Sequence, residues 1–274
     1  MKSLIFIYTL IFVVQETFAQ SPEIIWEHGY GGNHDDRGYE VLETLDGGFL
    51  MVGQEQSIDG DIIDNHGLDD VYVVKTDING EIIWSRAYGG SDYDYGKAAC
   101  LAQDGGYIIA GNSGSMDGNL TGNNGFKDLW VFKLDDLGDF VWQFNYGGSH
   151  NEGIKSIIPT SDGGYLGVGT SQSNDGDVIG HYGDYGEPDI WVVKFDLTGN
   201  MLWNKCFGSS EFDYVEGAIE TQDGNYIFVG HSEGYDGDID ITYGDYDVVL
   251  MKISTDGEVI WSKNYGGSWS GFGA

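Results

Sequence analysis

The chain has 274 residues, of which 41% are hydrophobic and 14% aromatic, enough to fill the core of a large all-β domain. Twelve Lys and Arg stand against 45 Asp and Glu, and the resulting net charge of −33 argues against nucleic acid as a partner. The acids are spread along the whole chain, so most of them are expected to form a solvated surface.

Residues 1–19 have the pattern of a cleaved secretory signal. Lys2 precedes an apolar run from Leu4 to Val14, and small residues end the segment at Ala19. The run is too short to span a bilayer, and no membrane span is expected. The mature chain would begin at Gln20. The sequence therefore predicts an exported protein, either secreted or held at the outer cell surface.

A repeat then runs through the rest of the chain. It is marked by Trp26, Trp84, Trp142, Trp203 and Trp261, which are 58, 58, 61 and 58 residues apart. Each repeat holds four short apolar segments, in the first copy "YEVLETL", "FLMVGQ", "VYVVK" and "EIIWSRAY". They are too short for helices and rich in β-branched and aromatic residues. Turn sequences such as Asp46-Gly47-Gly48 separate them, which indicates antiparallel hairpins.

Four antiparallel strands per repeat predict an all-β fold, a β-propeller with four-stranded blades. A stacked solenoid is the alternative, although its coils usually use fewer residues. The predicted repeat domain covers residues 20–274, with repeats at about 31–88, 89–146, 147–207 and 208–265 and the start of another at 266–274. An additional N-terminal strand, Ile24–Tyr30, is one strand too many for a closed ring of four blades. We therefore expect an incomplete ring, or a fragment of a ring of five to eight blades.

The repeat also resembles a known family. The resemblance lies in a sequence motif that recurs in each repeat. In the second repeat this motif consists of Tyr88-Gly89-Gly90-Ser91, Asp94, Asp104-Gly105-Gly106-Tyr107, Asp117-Gly118, Asp128, Trp130, Lys133 and Trp142. It is similar to the tandem repeats of roughly 60 residues, kelch-like or SBBP-like, that form propellers in secreted and surface bacterial proteins, many of them cargo of type IX secretion. The resemblance implies a propeller and export. It implies no reaction.

The longer loops of such blades, after the second and fourth strands, emerge on one face of the disc, where ligands usually bind. A column of acids maps to this face: Asp36, Asp94, Glu152 and Asp213. We take these four residues as binding-face candidates.

The loop after the second strand also suggests Ca²⁺, because Asp59, Asp61 and Asp70 occupy its first, third and twelfth positions. The corresponding residues of the other copies are Asp117, Asn119, Asp128, Asp175, Asp177, Asp236 and Asp238. However, the fifth position is Ile63, Thr121 or Ile179, and an insertion moves Asp189 to the fifteenth place. We therefore favour turns closed by carboxylates that accept backbone N–H groups, with Ca²⁺ as the one candidate cofactor.

Other columns fit structural roles. His34, His66, His150 and His181 map to the same face but include no close pair, so no Zn²⁺ or Cu²⁺ site is expected. The Trp and Tyr columns are expected to pack between blades rather than to stack on sugars. The column of Lys75, Lys133, Lys194 and Lys252 is expected to pair with acids, and Cys100 and Cys206 fall in different columns and are not expected to form a disulfide.

Two functions remain open from the sequence. The first is a non-catalytic scaffold that binds a glycan, a protein or a surface ligand through the long-loop face. The second is a secreted carbohydrate-active enzyme, a glycoside hydrolase or lyase, or an oxidase on the same scaffold. Catalytic residues should break the repeat symmetry, whereas the acids here recur in every copy. We therefore assign no catalytic residue and favour binding.

Overall fold

The structure is a computed structural model that describes residues 23–62, 64–120, 122–183, 186–239 and 244–267. The predicted signal sequence and most of the predicted further repeat lie outside these residues. The described residues contain sixteen strands in four sheets.

Each sheet is one blade with four strands of seven or eight residues. Blade 1 consists of β1 (Arg37–Glu43), β2 (Phe49–Glu55), β3 (Asp70–Thr76) and β4 (Ile82–Tyr88). Blade 2 consists of β5 (Asp94–Leu101), β6 (Tyr107–Ser113), β7 (Asp128–Leu134) and β8 (Phe140–Tyr146). Blade 3 consists of β9 (Glu152–Pro159), β10 (Tyr165–Ser171), β11 (Asp189–Phe195) and β12 (Met201–Phe207). Blade 4 consists of β13 (Asp213–Glu220), β14 (Tyr226–Ser232), β15 (Asp247–Ile253) and β16 (Val259–Tyr265).

The strands of a blade pair antiparallel in chain order, and the described residues contain no helix. The predicted all-β fold of four-stranded, propeller-like blades is therefore confirmed. A β-bulge interrupts the pairing of the first two strands in every blade, for example between Gly38 and Glu40. Tight turns at positive φ join the hairpins, as at Gly47 (φ 82°), where glycine avoids the strain that a side chain would bring.

Successive blades pack face against face. We call the face of a blade that packs on the following blade its trailing face, and the opposite one its leading face. Leu50, Val52, Val71 and Val73 on the trailing face of blade 1 share one apolar cluster with Ile109, Trp130 and Phe132 on the leading face of blade 2. Two further clusters join blades 2 and 3 and blades 3 and 4 in the same way. The first strands of neighbouring blades contact each other and so lie on the inside of the arc.

The arc of four blades is not closed. The third strands of blades 2 and 3 are buried at every residue, because both of their faces are covered. In blade 4, β15 alternates between buried and more exposed residues, because only its leading face is covered. The predicted incomplete ring matches this arrangement.

The expected N-terminal strand differs from the prediction. Ile24–Tyr30 does not form a hydrogen-bonded strand, and Ile24 and Ile25 are exposed. The segment instead packs on the leading face of blade 1, where the Tyr30 hydroxyl donates to the carbonyl oxygen of Gly80 at 2.6 Å. The pairing partner that would make it a strand, a third strand of a preceding blade, is not among the described residues.

Candidate functional site

The linkers that join the blades are held by side chains. In blade 2 the donors are the backbone N–H groups of residues 89–92, and the acceptors are the side chains of Asn119, Asp94, Asp117 and Ser115, at 3.0, 2.7, 2.7 and 2.9 Å. Four consecutive N–H groups thus find partners without any secondary structure. Three of the four acceptors come from the loop after the second strand, so this arrangement ties that loop to the preceding linker. We call it the linker clasp.

The binding-face candidates belong to this clasp. Asp36, Asp94, Glu152 and Asp213 each accept the N–H group of the residue four positions earlier, at 2.6 to 2.8 Å. Asp94, Glu152 and Asp213 are buried, and Asp36 is half-buried. The column therefore lies beneath the long-loop face rather than on it, because each carboxylate turns inward to its own linker.

The residues considered for Ca²⁺ divide into two groups. Those at the first and third loop positions face the preceding linker: the N–H groups of residues 31, 33, 91, 147, 149 and 210 donate to Asp61, Asp59, Asp117, Asp177, Asp175 and Asp236. Asp238 also accepts from the backbone of Gly208. The residues at the last position close their own loop, since Asp70, Asp128 and Asp189 accept from His66, Asn124 and Tyr182.

The three acids of one loop consequently do not converge on a common point. Among the residues that the structure describes, no group of three or more His, Cys, Asp or Glu side chains is arranged to hold a metal ion. The predicted histidines are similarly separate: the His66 ring lies 3.0 Å from Asp70, and the His181 ring lies 2.8 Å from the carbonyl oxygen of Glu187. Carboxylates that close turns account for the hydrogen bonds of these loops, and Ca²⁺ binding stays a prediction.

Burial perturbs the acids at the blade junctions. It raises the pKa of Asp128 to about 6 and that of Asp189 to about 7, and neighbouring carboxylates, Glu152 and Asp213 respectively, add to the effect. One buried oxygen of each, Oδ1, has no hydrogen-bond partner. Burial also raises the pKa of Glu55 to about 8. These groups hold a proton more readily than a solvated carboxyl does.

The two cysteines lie apart from this chemistry. Cys100 and Cys206 are both buried and free, so they form no disulfide with each other. Burial raises the pKa of Cys100 to about 12, so the thiol is a packing group rather than a nucleophile.

Cation pairing distinguishes one region of the molecule. The predicted lysine column pairs with the acids of the hairpin turns, since Lys75 lies 2.8 Å from Asp46 and Lys194 lies 3.0 Å from Asp162. The other ion pairs of this column are Lys133–Asp104 and Lys252–Asp223. In the described part of the chain, only three lysines have no carboxylate within 4.0 Å: Lys97, Lys127 and Lys263. Unpaired cations are unexpected in so acidic a protein.

Two of these lysines lie among tyrosine rings at the junction of blades 1 and 2. The Lys97 Nζ atom is 3.5 Å from the centroid of the Tyr39 ring and 4.9 Å from that of Tyr95. The Lys127 Nζ atom is 4.5 Å from the Tyr95 centroid and 5.3 Å from that of Tyr93. We call these five residues the cationic–aromatic cluster.

The cluster is partly exposed, and its lysines contact tyrosine rings instead of carboxylates. Tyr39 is 42% exposed and Tyr93 is 38% exposed, and both lysines are half-buried. Burial, reinforced by the nearby charges of Arg37 and Lys127, holds the pKa of Lys97 below its usual value. An anion placed between the lysines would therefore be attracted, with ring faces available beside it.

Sequence reasoning missed this cluster because it followed the residues that recur. The signal that could have found the cluster is variation between the copies. The position of Lys127 holds Asp69 in blade 1, Pro188 in blade 3 and Tyr246 in blade 4. The position of Tyr95 holds Arg37 in blade 1, Gly153 in blade 3 and Tyr214 in blade 4. Residues that differ between copies of a scaffold are the ones that can carry a particular ligand.

Comparison with known proteins gives limited information. No protein-family model matches the chain. It is 27% identical over 202 residues to the regulatory protein FlaEY of Caulobacter vibrioides, which covers 68% of this chain and 21% of that protein. The chain thus spans about a fifth of the length of this relative.

Solved structures resemble the chain only distantly. A Bacteroides caccae protein of unknown function is 13% identical with a TM-score of 0.38, covering 89% of this chain and 86% of its own. Sqt1 from Chaetomium thermophilum is 12% identical with a TM-score of 0.45, covering 88% and 64%. A putative exo-beta-1,3-galactanase from Bifidobacterium bifidum is 16% identical with a TM-score of 0.28, covering 83% and 92%. These similarities are too low to transfer a function.

Within the described ranges, no helix is long and apolar enough to cross a membrane.

Proposed function

We propose that the protein is an exported, non-catalytic binding scaffold whose cationic–aromatic cluster binds an acidic glycan. Export rests on the leader pattern of residues 1–19 and on the resemblance to secreted repeat proteins. Binding rests on one observation, the two unpaired lysines held against three tyrosine rings.

The chemistry of the cluster favours a sugar acid. A carboxylate between Lys97 and Lys127 would accept charge-assisted hydrogen bonds from both ammonium groups. The exposed rings of Tyr39 and Tyr93 offer flat apolar surfaces for a pyranose face. An acidic polypeptide offers the carboxylate as well but has no pyranose face to place on the tyrosine rings.

The recurring acids support a scaffold role rather than catalysis. Retaining and inverting glycosidases need two carboxyl groups that flank a bond of the substrate. Here Asp94, Glu152 and Asp213 are buried and accept hydrogen bonds from their own linkers. They position the loops of the long-loop face.

A binding and turnover screen tests the proposal. Purified protein is titrated with polygalacturonate, with its methyl ester, and with poly-glutamate, and the polymers are then analysed for cleavage. We expect binding of polygalacturonate that weakens with salt, at least tenfold weaker binding of the ester, and no cleavage. Equal affinity for the ester, or tighter binding of poly-glutamate, would contradict an acidic-glycan site. Cleavage abolished by replacing one non-repeated acid would establish the enzyme instead.

A further inference from the structure

The trailing face of blade 4 is an apolar surface without a covering blade. In blade 3 the corresponding residues Leu166, Val168, Ile190 and Val192 are completely buried. Blade 4 keeps apolar residues at these places, yet Val229 is 38% exposed and Val248 is 42% exposed. Tyr265, at the place of the buried Tyr88, is 55% exposed. The sequence has preserved a blade-packing surface here.

The leading face of blade 1 is the complementary surface. Its residues Met51, Tyr72 and Val74 occupy the places that pack on a preceding blade elsewhere in the molecule. Among the described residues, the segment Trp26–Tyr30 and Ile62 pack on this face, and a cavity of about 130 Å³ remains beside Tyr30. An extended segment alone does not fill the space that a blade fills.

Trp26–Tyr30 stands in for the fourth strand of a preceding blade. Its hydrogen bond from the Tyr30 hydroxyl to Gly80 repeats the bond from Tyr88 to Gly138, which is also 2.6 Å long. Its sequence "IIWEHGYGG" matches "VIWSKNYGG" at β16. β16 therefore carries the groups that this surface of blade 1 accepts.

Charge adds specificity to this match. Arg86 in the fourth strand of blade 1 lies 2.5 Å from Asp139, the residue after the turn glycine of blade 2. Lys205 of blade 3 pairs with Glu258 of blade 4 in the same way. At the junction of blades 2 and 3, the corresponding residues Phe144 and Asn200 are both uncharged.

At the two ends of the arc, the residue at the cationic position of the fourth strand and the residue after the turn glycine also have opposite charges. Blade 1 has an acid after its turn glycine, Glu81, whose neighbour at 4.0 Å is His28. Lys263 of β16 occupies the cationic position, is exposed, and has no carboxylate within 4.0 Å in the described chain. Lys263 and Glu81 therefore have the positions and the charges of a junction pair.

We propose that the trailing face of blade 4 docks on the leading face of blade 1 in a second copy of this chain. β16 then displaces Trp26–Tyr30, Lys263 pairs with Glu81 of the other copy, and the reciprocal contact closes a ring of two chains. Among the described residues, the two faces lie at opposite ends of one open arc. Head-to-tail contacts of this kind give a closed assembly when the rotation closes.

Sedimentation of the purified full chain across a range of concentrations tests this proposal. We expect a reversible dimer. Val248→Glu should weaken it at least tenfold, because it places a charge in the centre of the docking face. Val141→Glu is the control, since Val141 is 53% exposed on the outer strand of blade 2 and should leave the dimer unchanged.

Charge reversal provides the specific test. Lys263→Glu should weaken the dimer, and the double variant Lys263→Glu, Glu81→Lys should restore it, with thermal melting showing that each variant is folded. A monomer at every concentration, an open-ended series of larger species, or no restoration in the double variant would each overturn the proposal.

Discussion

Single carboxylates tie the blades together through the linker clasp. Asp94→Ala leaves the Gly90 N–H group and the hydroxyls of Ser113 and Ser115 without their acceptor. We expect it to lower the free energy of unfolding by about 2–3 kcal/mol, because buried donors lose a charged partner. Asp92→Ala, at an exposed position two residues away, should stay within about 0.5 kcal/mol. Urea denaturation measures both, and equal effects would contradict a special role for the clasp.

Buried acids should also make stability depend on pH. The pKa of Glu55 is about 8 in the folded protein, above the value of about 4.3 in an unfolded chain. Between these two pKa values the folded state binds a proton at Glu55 that the unfolded chain has lost. The stabilisation from this proton is complete below pH 4 and is lost as the pH rises towards 8. Asp128 and Asp189 act in the same direction up to about pH 6 and 7.

We expect the melting temperature to fall between pH 5 and pH 8, and Glu55→Gln to reduce that fall. The amide keeps an acceptor for Asn65, which donates to Glu55 at 3.0 Å, without the cost of ionisation. Glu43→Gln, at an exposed position, serves as the control. A melting temperature that rises across this range, or a slope unaffected by Glu55→Gln, would show that these groups do not control the dependence.

Sequence analysis at this scale found the column of recurring acids but not the direction in which their carboxylates point. The column of Asp36, Asp94, Glu152 and Asp213 was visible as a repeat. Whether it faces solvent depends on the path of the linker backbone, which folds back over each carboxylate. Periodicity contains no information about that path. Lys127 occurs in one copy only, and Lys97 recurs only as Lys155 of blade 3, so neither lysine marked a column that runs through all four copies.

Individual strands depend on glycines that allow close backbone approach at the bulge. A Cβ atom on Gly230 would lie 1.9 Å from the carbonyl oxygen of Tyr214. Gly230→Ala should therefore destabilise the protein by roughly 3 kcal/mol, because the two strands must separate. Gly217→Ala in the same blade, where nothing lies within 4 Å, should be tolerated. Thermal melting of the pair checks this, and comparable losses in both would argue against the close contact.

The strand prediction succeeded where hairpins supplied partners and failed at Ile24–Tyr30. Each of the sixteen strands has a neighbour in its own repeat, so local alternation and turn residues were sufficient. The N-terminal segment has the same pattern but no third strand to pair with. A β-strand needs a second segment to hydrogen-bond with, and the sequence pattern of one segment does not show whether that partner is present.

At the scale of the whole molecule, the loops should not need metal for stability. Their carboxylates already accept backbone N–H groups, as Asp117 does from Ser91 at 2.7 Å. We expect EDTA to change the melting temperature by less than about 2 °C. A large drop that Ca²⁺ reverses and Mg²⁺ does not would show that the Asp59, Asp61 and Asp70 set and its copies bind Ca²⁺.

The central claim is that the recurring carboxylates hold the scaffold and the cationic–aromatic cluster binds the ligand. Titration of oligogalacturonate by calorimetry tests it most directly on the double variant Lys97→Met, Lys127→Met. We expect at least a tenfold loss of affinity with an unchanged melting temperature. The control Lys205→Met removes a single positive charge on an outer strand and should stay within about twofold. Unchanged affinity in the double variant, or an equal loss in Lys205→Met, would contradict the account.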